Sequence, residues 1–417
     1  MFNFFAKKQK RIYLDNAGAT EISERAKAEL LRALDLYGNP SAIHHEGDAA
    51  SRVLDIARNM SATVLNAHSY EIYFVSGGTE SCSTAILGTY LGSREWATKN
   101  KVVPHIITST IEHPSVLEPI RHLEKEGKIK VTYLPVYENG IVRLQDLREA
   151  LTPETILVSI MYANNEIGTI QPVKEIGRAI DEWKRENDRV FTSYPYFHTD
   201  ACQAVNYCNV DVLRIKCHLM TVNSSKCYGP KGIALVYKRE GIRVDPIVYG
   251  GGQERGMRSG TENVALARSF AEALKETTEL RDTESTRLRK LRDYAVQKLQ
   301  QAIPDSTVYG AFDEYYPDGK IKTELRLPNN INCRVKGIGS DEMIIRLDQK
   351  SIAVSHKSAC ASSESDGSYV LEALGATTEE ALENIRITLG RSTTKDNIDR
   401  LVTSMQEIQE QFGILTP

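Results

Sequence analysis

The chain has 417 residues, enough to bury a large core, and that length favours two or three domains. Its 52 basic residues stand against 55 acidic ones, a formal charge of -3, so it lacks the basic footprint of a nucleic-acid or anionic-membrane binder. Seven cysteines without a C-x-x-C pair speak against a disulfide framework and for a reducing, cytoplasmic setting.

The N-terminal "MFNFFAKKQKR" puts its apolar residues before its basic ones, the wrong order for a secretory signal, and reads as a solvated terminus. No stretch is apolar and long enough to cross a bilayer. From about residue 23, helical periodicity as in "SERAKAELLRALDLY" alternates with β-rich runs, "EIYFV", "HIITS", "TILVSIMYA" and "GIALVY". That alternation predicts a mostly parallel sheet covered by helices, an α/β fold. Around residue 263 a long charged helical pattern begins, too long for an ordinary crossover, and it reads as a connector into a second domain. The expected division is 16–263 for a large domain and 264–417, with 1–15, for a small one. In the latter, "GAFDEYYPDGKIKTE" reads as an exposed loop, with strands near "ELRLPNNINCRV" and "SIAVSH" and helices near "SDEMIIRL" and "TEEALENI".

Four places could carry chemistry. In "FVSGGTESCSTAILG" a β-run ends in Gly77, Gly78 and Thr79 where a helical pattern starts, and bare amides with a hydroxyl there suit a phosphate. A strand-to-helix turn also needs glycine and a capping hydroxyl for its own sake. In "FHTDACQA", Asp200 stands where an α/β strand presents its C-terminal end to ligands, although an N-cap aspartate has the same appearance. "NSSKCYGPKG" sets Lys226 on a short polar run before two glycines, far enough beyond Asp200 for a helix and another strand to bring both to one sheet edge. His113 follows the run "HIITS". His198 and Cys202 have i, i+4 spacing but no third ligand, so no metal is expected. "GGGQERGMRSGTEN" lacks the dinucleotide fingerprint.

Pyridoxal 5'-phosphate asks for a lysine able to form a Schiff base, a carboxylate beside the pyridine nitrogen, a flat partner for the ring and an anion cradle. Lys226, Asp200, His113 and Gly78 with Thr79 answer all four, the imidazole assignment resting on the other three.

With these residues in view, the chain resembles the NifS/IscS-like cysteine desulfurases, class V members of the fold-type I pyridoxal phosphate enzymes. "YLDNAGAT", "GNPSAIH", "SGGTES", "EHPSV", "NNEIGTIQP", "HTDACQA", "KCYGPKGIALVY", "GGGQERGMRSGTEN", "LRLPNNIN", "SACASS" and "IRITLGR" are similar to that family's motifs in its usual order, from residue 13 to 391. The resemblance implies a large domain on a mostly parallel seven-stranded sheet, a smaller α/β domain bearing the catalytic cysteine loop, and a homodimer with shared active sites. It implies that Lys226 carries the cofactor, Asp200 pairs with the pyridinium nitrogen, Gln203 addresses the ring hydroxyl, His113 stacks on the ring, and Gly78 and Thr79 hold phosphate. Asn165 is expected beside cofactor and substrate, and Thr261 at the phosphate of the neighbouring subunit. Arg386 resembles the arginine that clamps the substrate carboxylate, a bidentate pairing that suits a guanidinium. Cys360 resembles the nucleophile that takes sulfur from L-cysteine as a persulfide and passes it to an acceptor protein. A different class V reaction, selenocysteine lyase or aminotransferase, would not need Cys360; a catalytically silent dimeric interaction subunit would need neither Cys360 nor Lys226.

The sequence departs from the family in three places. Ser225 and Asn223 stand where a histidine and a serine usually precede the lysine, and both can still donate to phosphate. His356 and Lys357 replace small residues before the nucleophile, and cationic neighbours favour a thiolate. The chain ends at "FGILTP" without the longer tail with which many iron-sulfur-assembly members hold a scaffold, so the acceptor's pathway, tRNA thiolation and DNA sulfur modification among the options, stays open. Because an imidazole's possible positive charge is lost at position 225, Ser225→His is expected to slow cofactor loss on dialysis, followed by absorbance; an unchanged half-time would refute a role for that position in retention.

Overall fold

Seven β-rich runs join one sheet in the computed structural model, which describes residues 11–317, 321–356 and 367–412. The strands are β1 (Ile72–Val75), β2 (His105–Ser109), β3 (Lys130–Leu134), β4 (Thr155–Ser159), β5 (Tyr196–Asp200), β6 (Leu219–Asn223) and β7 (Ala234–Lys238), in the spatial order β1-β7-β6-β5-β4-β2-β3. Pairing is parallel from β6 across to β3, and only β7 runs against its neighbours β6 and β1. Two reversals restore the direction, so β1 points the same way as the parallel set. The C-terminal ends of β1, β2, β5 and β6 therefore open on one edge. Strands β2, β4 and β5 are buried at every position, which explains their near-continuous apolar runs: no face is left for water.

The helices that cover the sheet include α1 (His45–Leu65), α2 (Gly78–Asn100), α3 (Pro114–Lys125) and α4 (Val173–Glu186). Ile86 of α2 and Val116 and Ile120 of α3 pack with Ile106, Ile156, Leu157, Leu219 and Val236 of the sheet. Gly177 lets α4 pass close to the backbone at Ile215, whose carbonyl oxygen would lie 2.1 Å from a Cβ built there.

The chain divides into two compact units, Thr20–Asn164 with Thr169–Asp282, which holds this sheet, and Met1–Ala19 with Asn165–Gly168 and Thr283–Pro417. One 39-residue helix, α5 (Val264–Ala302), contributes to both. Its first part bonds within the sheet unit, Ser269 Oγ to Ala26 O at 2.7 Å and Thr277 Oγ1 to Cys227 O at 3.3 Å. Its later part bonds within the other, Arg287 to Gly390 O and Arg292 to Asp313.

That second unit carries an antiparallel sheet of β8 (Thr307–Val308), β9 (Asn330–Arg334) and β10 (Asn384–Thr388), with β9 in the middle. Helices α6 (Ser340–Gln349) and α7 (Lys395–Gln411) belong to the same unit, and Ile12–Tyr13 pairs in parallel with Ile352–Ala353. The excursion Asn165–Gly168 joins it because Asn330 and Asn332 both donate to the carbonyl of Glu166, at 3.1 and 3.2 Å. The segment read as a plain loop contains a short antiparallel pair, Glu314–Tyr315 with Ile321–Thr323; its strands are too short and exposed to show an alternating pattern.

In the sheet unit, Arg58 of α1 and Glu254 form a buried two-pronged pair, at 2.7 and 2.9 Å. Glu254 also accepts from the amide of Phe74 in β1, and Arg58 donates to Ile72 O. This ties the segment before Thr261 to the strand that leads into Gly78. Glu254→Ala would strand a buried guanidinium and should cost roughly 3–5 kcal/mol in urea unfolding, whereas a loss under 1 kcal/mol would show the pair to be dispensable.

Candidate active site

Topology brings most of the expected site residues in the sheet unit to one edge. Gly78 and Thr79 follow β1 and begin α2; His113 follows β2 and caps α3; Asp200 ends β5; Asn223 ends β6 and leads into the single turn Ser224–Lys226. Open α/β sheets present their ligand sites at this carboxyl edge. Helix α2 starts at Gly77 with no side-chain cap, so its leading amides and the positive end of its dipole are left for an anion. A Cβ at Gly78 would come within 3.2 Å of Asn223 Nδ2. Asn223 Oδ1 accepts from the amide and hydroxyl of Ser225, both at 3.4 Å, and that contact turns the Asn223 NH₂ toward Gly78. Asn223 and Ser225 thus act together on the cradle.

His113 is half-buried, and its Nδ1 accepts the Ser115 amide at 3.1 Å and lies 2.8 Å from the Ser115 hydroxyl. Those contacts fix the ring's position and make Nδ1 an acceptor. Lys226 is half-buried on a turn anchored by Asn206 Nδ2 to Lys226 O at 2.7 Å and by the Thr20 amide to Ser225 O at 2.9 Å. Gln203 is half-buried three residues past Asp200, in the turn that follows β5. Thr261 is exposed and lines a cavity of about 240 Å³ with Ser76, Arg258 and Gly260.

Asp200 sits in an electrostatically quiet neighbourhood. Its Oδ1 accepts the Cys202 amide at 2.9 Å, and Cys82 Sγ lies 3.8 Å from Oδ2. His198, two residues earlier on the same strand, is fully buried between Ser159 Oγ at 2.8 Å and Thr221 Oγ1 at 3.1 Å, and burial pulls its pKa down to about 4. Burial also drives the thiols of Cys82 and Cys202 well above their usual range, with the charge of Asp200 adding to the rise. Glu112, beside His113, accepts from Ser109 Oγ at 2.6 Å and the Met161 amide at 2.8 Å, and burial raises its pKa to about 8. At neutral pH these neighbours are uncharged. A cation brought to Asp200 meets no competing charge from them.

Thr221, Ser159 and Glu112 were not among the sequence candidates, and His198 was weighed there only as a metal ligand. Their only sequence signal was polar residues inside otherwise apolar strands and the glutamate preceding His113. His198 and Cys202 do not share a helix face, because residues 196–200 are a strand.

In the other unit, Arg386 on β10 is 2% exposed. It donates to Asp15 Oδ1 at 2.9 Å and to Asn165 O at 3.3 Å, while its buried Nε has no hydrogen-bond partner among the described residues. Asn165 is itself buried. Cys360 and Lys357 lie outside the described residues; His356 Nε2 is 3.8 Å from Asp341 Oδ1.

The residues suit pyridoxal phosphate. The glycine-narrow cradle at α2 fits a phosphate, a buried carboxylate among uncharged neighbours fits a protonated pyridine nitrogen, an anchored lysine supplies the amine, and a fixed imidazole supplies the flat partner.

The chain is similar to known proteins along nearly its whole length. The aminotransferase class-V family model matches residues 12–401. A cysteine desulfurase IscS from Clostridium botulinum is 37% identical over 409 residues, covering 98% of this chain and 96% of that one. Among solved structures, a NifS-like protein superimposes with a TM-score of 0.85 at 30% identity, covering 96% of this chain and all of that one. A structure described as SspA in complex with cysteine gives 0.71 at 29% identity, over 91% of this chain and 99% of that one.

The protonated Glu112 has a pH signature. In the unfolded chain its carboxyl ionises near 4.5, whereas the folded chain holds the proton to about 8. The folded state therefore binds more protons in that window, and this group's contribution makes stability fall as pH rises from about 4.5 to 8, by up to about 1.4 kcal/mol per unit. Glu112→Gln keeps an acceptor for the Met161 amide and removes the titration. Its urea-unfolding free energy should improve relative to the parent chain between pH 5 and pH 8; an offset constant across that range would refute a protonated Glu112.

Proposed function

We infer, from a chain that belongs to the aminotransferase class-V family, that its reaction is the pyridoxal phosphate-dependent removal of sulfur from L-cysteine, with L-alanine as the other product. One observation carries the reading of the site: a buried carboxylate, an anchored lysine, a fixed imidazole and an uncapped helix start share one sheet edge in a chain 37% identical to a cysteine desulfurase along its length.

Pyridoxal phosphate, when bound, supplies an electron sink that makes the bond to the substrate's α-hydrogen breakable. Lys226 Nζ would attach it, Gly78, Thr79, Asn223 and Ser225 would hold its phosphate, and Asp200 would keep its ring nitrogen protonated. Gln203 would face the ring hydroxyl and His113 the ring. Thr261 would complete the phosphate site of a second copy in a homodimer. Arg386 and Asn165 would hold and orient the substrate, the Arg386 guanidinium meeting its carboxylate. Asp15 fixes the guanidinium for that pairing. Lys226, once released, would carry the proton at the substrate carbon. Cys360 as thiolate would attack the substrate sulfur, forming a sulfur–sulfur bond as the carbon–sulfur bond breaks. The carbon takes the electron pair and a proton and leaves as alanine, and the persulfide on Cys360 passes its outer sulfur to an acceptor protein. On this reading residues 16–263 form the cofactor domain, residues 264–417 with 1–15 form the domain bearing the nucleophile, and the enzyme works in the cytoplasm, iron-sulfur cluster assembly and tRNA thiolation being the candidate destinations of the sulfur.

Incubation of the purified holoenzyme with L-cysteine should yield alanine and a mass increase of one sulfur on the peptide containing Cys360. Cys360→Ser should lose sulfide release by a factor of about 100 or more while keeping cofactor absorbance. Full turnover in that variant would point to an aminotransferase or lyase reaction instead.

A further inference from the structure

At the opposite edge of the sheet, below the N-terminal ends of β5 and β6, lies a second cavity of about 300 Å³. It is lined by Asp181, Lys184, Arg185, Arg189, Phe191 and Lys216, four cations against one carboxylate. Asp181 and Lys216 pair with each other at 2.5 Å. Among the described residues no carboxylate pairs with Lys184, Arg185 or Arg189; their bonds go to neutral acceptors. Lys184, 2% exposed, donates to Phe191 O at 2.7 Å and lies 3.1 Å from His218 Nε2. Arg189 donates to Tyr194 O and Pro153 O, at 3.1 and 2.8 Å. Arg239 adds a further positive charge behind the wall, over the Phe191 ring.

Removing cations from water without an anion is unfavourable, and burial accordingly pulls the Lys184 pKa down to about 7. The His218 beside it is held neutral by its own burial and by the Lys184 charge. A small oxyanion, which accepts several charge-assisted hydrogen bonds at once, meets that requirement.

We propose that this cavity is a binding site for a small oxyanion of the phosphate class, with Lys184, Arg185 and Arg189 as its cationic partners. Free phosphate and the phosphate group of a small ester share this chemistry. The site lies across the sheet from Asp200 and does not depend on the reaction proposed above.

Calorimetric titration of inorganic phosphate into the cofactor-loaded enzyme, in chloride buffer at constant ionic strength, tests it. The expected result is saturable binding of one phosphate per chain, weakened about tenfold or more in Arg189→Gln and in Lys184→Met, with cofactor absorbance unchanged. Glycerol phosphate in place of phosphate distinguishes the sources: tighter binding assigns the site to an ester, weaker binding to the free ion. Because Lys184→Met alters a buried position, the exposed Arg185→Gln serves as a third variant that leaves the packing intact. Absence of saturable binding, equal affinity in all three variants, or binding of L-alanine in preference to phosphate would each overturn the proposal.

Discussion

Burial without competing charge is the constraint on which the carboxyl edge of the sheet depends. Asp200 is placed at the end of a fully buried strand, yet water is replaced there by one backbone amide and by groups that burial keeps uncharged. His198 is held neutral between two hydroxyls, Glu112 keeps its proton, and the nearby thiols stay protonated. A cationic ring nitrogen arriving at Asp200 would meet a low-dielectric setting in which its attraction to a carboxylate is strongest. The same desolvation that would penalise an empty charged site makes a matched pair effective.

Strand direction is the second determinant. A single antiparallel strand, β7, lies between β1 and β6, and because it reverses twice it leaves β1 aligned with the parallel set. The glycine turn after β1 therefore reaches the same edge as the lysine turn after β6. Asn223 then links the two directly, its amide oriented by Ser225 toward Gly78. In the second unit the same economy appears at Arg386, which is oriented by Asp15 and a backbone carbonyl while one buried nitrogen has no partner among the described residues.

The two edges of the sheet use burial in opposite ways. At the carboxyl edge, neutral neighbours surround one acid. At the amino edge, Lys184, Arg185 and Arg189, which pair with no carboxylate among the described residues, line a cavity. The first arrangement suits a cation and the second an oxyanion.

Lys226, Asp200, His113 and the Gly78 turn could be read as a cofactor set because each follows a recognisable β-run, and a parallel sheet converts that local position into a shared edge. The helical register of α5 was equally plain, since its charged periodicity persists over 39 residues. What the chain by itself determined was residue type and the succession of strand and turn at these positions, because both follow from short-range pattern. Only the tertiary structure decided that His198 is a neutral strand residue, that Glu112 keeps a proton, that Asp15 reaches Arg386 and that three cations near Phe191 have no carboxylate partner among the described residues. Those facts depend on desolvation and on contacts between residues far apart in sequence, and no local pattern carries either.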